Sequence, residues 1–170
     1  MILEGKDIST ADGGIIGYLS DRDINLPSDT YTSETRTVTL YFPKKDSQTL
    51  VKELRTIKVT DQQPIARYII NELIKGPGNE NMTSALSPDT VLLSVETSDN
   101  ICFVNFKSSF LDKNSGSAEK EKLAIYAIVD SLTELDTIDR VQFLMDGKKV
   151  DAFGNINIGS MFGRDESVIG

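Results

Sequence analysis

The stretch TVLLSVETSDNICFVNF, residues 90–106, decides how this chain is read. Two runs rich in β-branched and apolar residues, 90–96 and 101–106, flank Thr97-Ser98-Asp99-Asn100. A connection this short cannot carry a parallel crossover, which needs a dozen or more residues, so the two runs are predicted to form an antiparallel hairpin. Cys102, the only cysteine, lies in the second run. There it is expected as a small buried hydrophobe and not as a reactive thiol.

Upstream, IARYIINELIKGP (65–77) carries Ile65, Ile69 and Leu73, with Ala66 and Ile70, on one helical stripe. Thr60 or Asp61 is the expected N-cap, with Pro64 in the first turn. Gly76 and Pro77 end the helix, and Arg67, Asn71, Glu72 and Lys75 are expected to face water. Before it, TVTLYFP (37–43) alternates as a strand that stops at proline. TLVKELRTIKVT (49–60) reads as a second strand whose parity slips: Leu50 and Leu54 share one side, Arg55, Ile57 and Val59 the other. A bulge near Leu54 or Arg55 is the expected repair. Downstream, the polar LDKNSGSAEKE (111–121) reads as a loop, residues 117–135 as a second helix, and RVQFLMDGKKV (140–150) as a last strand turning at Asp146-Gly147.

The order strand, strand, helix, strand, strand, helix, strand predicts an α+β domain over residues 36–170. Its expected architecture is a mixed sheet of four to five strands with two helices on one face, a βαββα-like core with extra strands. Residues 1–35 hold seven acids and two bases and read as an acidic flank. Its apolar patch, Ile15, Ile16, Tyr18 and Leu19, is able to add an edge strand or to pack on the core.

Composition narrows the chemistry. With 18 Lys and Arg against 26 Asp and Glu, the net charge of −8 opposes binding to nucleic acid or to an acidic membrane surface. Histidine is absent, which removes every Ser-His and Cys-His pair and the commonest metal ligand. GPGNE follows a helix and FGNINIGSMFG precedes none, so neither is a phosphate cradle. DKNSGS lacks the acids of a calcium loop. No cofactor and no metal are expected. Asp130 and Glu134, one helical turn apart with Asp136 and Asp139 behind them, are expected on a solvated acidic helix end. Arg55, on the parity of Ile57 and Val59, is better read as half of a structural salt bridge than as a ligand site. The N-terminus has neither the basic nor the apolar stretch of an export signal, and no apolar run is long enough to span a bilayer.

In order, VTLYFP, LVKELRTI, IARYIINELIKGP, LSPDTVLLSVETSDNICFVNF, the helix from Ser117 and VQFLMDGKKV resemble the sporulation and spore germination (GerMN) domain of Gram-positive bacteria. The Leu-Ile-Lys-Gly-Pro helix stop, the Ser-Pro-Asp-Thr turn, Asp146-Gly147 and the closing FGNINIGSMFGRDESVIG carry the resemblance over roughly residues 36–170. The resemblance implies a fold similar to ring-building modules and a non-enzymatic, extracytoplasmic role. It further implies an anchor outside this chain, since an exported lipoprotein's anchoring cysteine is missing, and partners among envelope or sporulation-complex proteins or further copies of the chain itself. The surface expected to meet them is the locally basic set Lys52, Arg55, Lys58, Arg67, Asn71 and Lys75. A module for cell-wall glycan or a small ligand is the alternative and needs an aromatic-lined groove, against which the absence of Trp weighs. An enzyme using carboxylates alone comes third and needs a cleft holding two acids.

Overall fold

The computed structural model describes residues 33–170. The expectations for the N-terminal flank, including the apolar patch at 15–19, therefore lie outside the described residues. The chain divides into two units, and the larger comprises Arg36–Ile57 and Gln63–Gly170. Lys58–Gln62 belongs to the other.

Strands β1 (Ser33–Pro43) and β2 (Leu50–Thr60) pair as a hairpin, closed by a turn in which the Lys44 N–H donates to the Thr49 carbonyl at 2.9 Å. Helix α1 (Ile65–Lys75) follows, then β3 (Leu92–Ser98) and β4 (Ile101–Phe106). A short helix α2 (Phe110–Asn114) and the long α3 (Ala118–Leu132) cross over to β5 (Arg140–Met145). Three two-residue strands close the chain: β6 (Ala152–Phe153), β7 (Ile156–Asn157) and β8 (Phe162–Gly163). The central sheet has the order β8-β5-β4-β3 and is mixed: β4 and β5 run parallel, the other neighbours antiparallel. This is the expected α+β architecture.

The hairpin of residues 90–106 forms with a tighter turn than anticipated. β3 extends to Ser98, and only Asp99 and Asn100 make the reversal, both at positive φ, 52° and 66°. Asp and Asn tolerate that region, and a two-residue turn with two positive φ values matches the twist of the strands it joins. The pleat then places Cys102, Val104 and Phe106 beside Val141, Phe143 and Met145, all buried, on the face that α1 and α3 cover. Leu93 is left without a partner where the register shifts between Leu92 and Ser94, and it is exposed.

Several local readings are corrected. The alternation of exposure along β2 is unbroken from Val51 to Lys58, so Leu54 simply faces solvent and no bulge is needed to place Arg55 inward. Pro64 occupies the N-cap position of α1 itself, with no side-chain cap. Glu72, expected in water, is buried. The supposed polar loop at 111–121 contains α2, because Phe110 is fully buried, stacks on Phe106 at 4.5 Å and meets Phe153 at 5.2 Å. Asn114 at the end of α2 is buried too. Its Oδ1 accepts the Ser87 N–H at 2.7 Å and its Nδ2 donates to Thr90 Oγ1 at 3.1 Å, which pins the Ser-Pro-Asp-Thr turn.

α3 departs most from expectation. Ser117 caps it as read, its Oγ accepting the Lys120 N–H at 3.1 Å. From Leu123 to Leu132, however, every residue except Tyr126 is buried, including Asp130 and Ser131 at zero exposure. The sheet covers one side of the helix, while β1 and the closing segment cover another. The Tyr41 N–H donates to Ser131 Oγ at 2.9 Å, and that hydroxyl donates to the Ala127 carbonyl.

Candidate interaction surface

The six residues expected to form one basic surface do not all face the same way. Along β2, Lys52 lies on the solvent side with Leu54 and Thr56, whereas Arg55 takes the opposite side. Lys58 is exposed and lies in the smaller unit. On α1, Arg67 and Asn71 line a shallow depression of about 210 Å³ with Gln63 and Tyr68. Lys75 is exposed, with its ammonium 2.8 Å from Glu72 Oε2.

Arg55 is consumed by the fold. Its Nε and Nη2 donate to Glu53 Oε2 at 2.8 and 2.5 Å, and its Nη1 reaches Glu72 Oε1 at 3.2 Å and the Glu72 carbonyl at 3.3 Å. Nη2 also donates to the Gly76 carbonyl at 2.9 Å, and the guanidinium lies 5.6 Å from the centre of the Phe42 ring. Glu53 completes the clip by accepting the Gly78 N–H at 2.9 Å. The last carbonyls of a helix have no partners of their own, and a guanidinium fork satisfies them while favouring the helix dipole. The Lys-Gly-Pro-Gly segment is thus a helix stop held by β2. The salt-bridge reading of Arg55 is the one the structure shows.

A second polar cluster joins α3, β1 and the closing segment. Glu134 Oε2 accepts from Tyr41 Oη at 2.7 Å and lies 2.8 Å from Arg164 Nη2. Arg164 also donates to Tyr41 Oη at 2.9 Å and to the Asp130 carbonyl at 3.0 Å, and it pairs with Glu166. Burial opposes the Arg164 charge, yet hydrogen bonds to Glu166 and Tyr41 and the charge of Glu134 hold its pKa above the ordinary value. Tyr41 is pushed up by burial and by its bond to Glu134. Asp130 Oδ1 accepts the Asp165 N–H at 3.0 Å, while Oδ2 meets no donor among the described residues. Burial raises Asp130 to about 6, against the Asp165 N–H and the Arg164 charge. The expectation of a solvated acidic pair is therefore corrected for Asp130, and Glu134, though partly exposed, is tied to Tyr41 and Arg164.

A third buried acid, Glu121, accepts the Asn155 and Gly116 N–H groups at 2.8 and 3.1 Å and the Asn155 amide at 3.0 Å. The Asn155 N–H is the first cause of its lowered pKa. It locks the β6–β7 turn to the start of α3. Sequence reasoning missed Glu121 because Asn155, which supplies two of its three donors, lies 34 residues downstream, in a loop without periodic signal.

An open trough of about 420 Å³ runs between the β1–β2 turn and the start of α3, floored by Pro43, Ala85 and Leu123, with Ser, Thr, Lys and Glu walls. A neighbouring one of about 290 Å³ shares Gln48, Glu119 and Leu123 with it. No aromatic side chain lines either, and neither opens onto Asp130 or Glu134. Among the described residues no cluster of three acids or cysteines is placed to hold a metal.

The profile described as "Germane: Sporulation and spore germination" matches residues 39–151 of the 170. The chain belongs to this sporulation and spore germination family. The hairpin, the Lys-Gly-Pro stop clipped by Arg55 and the Ser-Pro-Asp-Thr turn held by Asn114 all fall within the matched range. Among curated proteins none matches the chain. Among solved structures, a candidate lipoprotein from Clostridium perfringens is similar at 27% identity and a TM-score of 0.56, over 79% of this chain and 89% of that one. The tandem GerMN domains of the sporulation protein GerM from Bacillus subtilis are similar at 20% identity and a TM-score of 0.63, covering 99% of this chain. The chain spans 61% of that tandem protein's structure. The first GerMN domain of GerM alone is similar at 15% identity and a TM-score of 0.59, over 78% of this chain and 98% of that one. At these identities the two GerM structures show the shared fold. Among the described residues no helix is long and apolar enough to cross a membrane.

Proposed function

We propose that the domain is a non-catalytic protein-interaction module of an extracytoplasmic envelope assembly serving sporulation or germination, held at the membrane by an anchor. The family match over residues 39–151 carries this reading, and the likeness to a candidate lipoprotein supports the location. A non-catalytic role is supported by the fate of the acids. Asp130 is sealed beneath the closing segment, Glu121 is saturated by N–H donors, and the sequence contains no histidine. Of the basic set, the proposed partner-facing residues are Lys52, Arg67 and Asn71, since Arg55 is committed to α1, Lys75 pairs with Glu72 and Lys58 belongs to the smaller unit. An acidic surface on a neighbouring envelope protein, or on another copy of the chain, suits them. The test is charge reversal at Lys52 and Arg67 with Asn71→Glu in the anchored full-length protein. Loss of co-purified envelope partner with an unchanged melting temperature is expected; an unaltered set of partners refutes this surface.

A further inference from the structure

The closing segment, residues 161–170, is tied down at three places. β8 pairs with β5, Arg164 and Asp165 grip α3, and Ile169 bridges to Leu50 while the Gly170 N–H donates to the Leu50 carbonyl at 2.8 Å. Asp130 sits beneath the middle tie with zero exposure. Its only hydrogen-bonded side-chain oxygen is held by the segment itself, and the other has no donor among the described residues. An ionised carboxylate in that position is unfavourable, and lifting the segment would remove the cost by admitting water. We propose that residues 161–170 form a proton-gated latch on α3, docked while Asp130 is neutral and loosened once it ionises.

The groups around Asp130 are consistent with that direction. From the closing segment, Arg164 favours the charged form while Asp165 and Glu166 oppose it. From β1 and the stretch just past α3, Tyr41 and Glu134 engage the same Arg164, so its charge is shared with two other acids, Glu134 and Glu166. Tyr126 on α3 is itself held protonated by burial and by the charges of Asp165 and Asp130. Lys122 acts on Asp165, whose carboxylate is held down first by Ser167. Burial leads the list of influences on Asp130 and raises it from 3.8 to about 6.

The docked state therefore binds the proton more tightly than an opened state with Asp130 in water. Opening is suppressed at pH 4 and grows as pH rises through about 6. A difference of about two pKa units permits up to about a hundredfold change in the opening equilibrium.

The test is amide hydrogen exchange on the full chain from pH 4.5 to 7.5, each rate divided by its intrinsic value at that pH. The Asp165 and Gly170 amides are expected to open at least tenfold more at the upper end, and at every pH to open far more often than Val104 in β4, which exchanges only through global unfolding. Asp130→Asn should abolish the rise, and Glu134→Gln should keep it. No rise, a fall, a rise that survives Asp130→Asn or one lost in Glu134→Gln would each overturn the latch. Should Asp130→Asn fail to fold, the ¹³C shift of the Asp130 carboxyl in the unmodified chain decides. A titration midpoint near 6 supports the latch and one below 4.5 overturns it.

Discussion

Replacing Arg55 by Ala tests whether this residue belongs to the fold or to a binding surface. Its guanidinium makes five hydrogen bonds, three to carboxylate oxygens and two to the carbonyls that end α1. Side-chain exposures of 17% for Arg55, 17% for Glu53 and 11% for Glu72 place the cluster well below the surface, though not out of reach of water. Breaking a fully buried pair from one side costs ~3–5 kcal/mol, because a charge is left uncompensated. Here each carboxylate keeps another partner, Lys75 for Glu72 and the Gly78 N–H for Glu53, and residual water screens the rest. The expected loss is therefore about 2–3 kcal/mol. Urea unfolding at pH 7 and 25 °C should show it as a lower midpoint with an unchanged slope. Arg55→Lys should recover only part, since an ammonium cannot span Glu53, Glu72 and the Gly76 carbonyl together. The deficit should persist at 1 M salt, where a surface pair would be screened out. A loss below about 0.5 kcal/mol, typical of an exposed ion pair, would refute the clip and return Arg55 to the candidate surface.

Cys102 is fully buried and its thiol is pushed up to about 11 by burial, so iodoacetamide should leave the native protein unlabelled and react stoichiometrically after denaturation. Gly154 sits at φ +57°, where a Cβ would overlap the Glu121 carboxylate. Gly154→Ala should cost about 1–2 kcal/mol from backbone conformation alone, read as a lower melting temperature, and more if Glu121 is displaced. Global stability should also carry the Asp130 signature. Its raised folded-state pKa contributes stability that is complete below about pH 4 and lost as pH rises through about 6. Asp130→Asn should accordingly gain on the wild type by about 2 kcal/mol between pH 4 and 7 in paired urea titrations. The lowered pKa values of Glu121, Asp146 and Asp165 act in the opposite sense, with stability lost only as pH falls through their depressed values. The two effects occupy separate pH windows.

Sequence alone determined what depends on near neighbours. Strand β4, the stop of α1 at Gly76-Pro77, the Ser117 cap and the reversal at Asp99-Asn100 follow from steric preferences and hydrogen bonds within a few residues. The alternation of 90–106 and the two helical stripes were then enough for the α+β order, because a four-residue connection allows only an antiparallel pair. Tertiary structure decided the acids and the short helix. Asp130 has the spacing of a solvated residue on an amphipathic helix, and nothing nearby in sequence shows that β1 and a segment 34–35 residues downstream will close over it. α2 exists because Phe110 finds Phe106 and Phe153, and the polar run that follows it masks that anchor. Arg55 was legible in part, since its parity pointed inward, but its partners Glu72 and Gly76 are set by how α1 lies against β2. Burial of a polar side chain depends on what packs over it, and that covering comes from contacts distant in sequence.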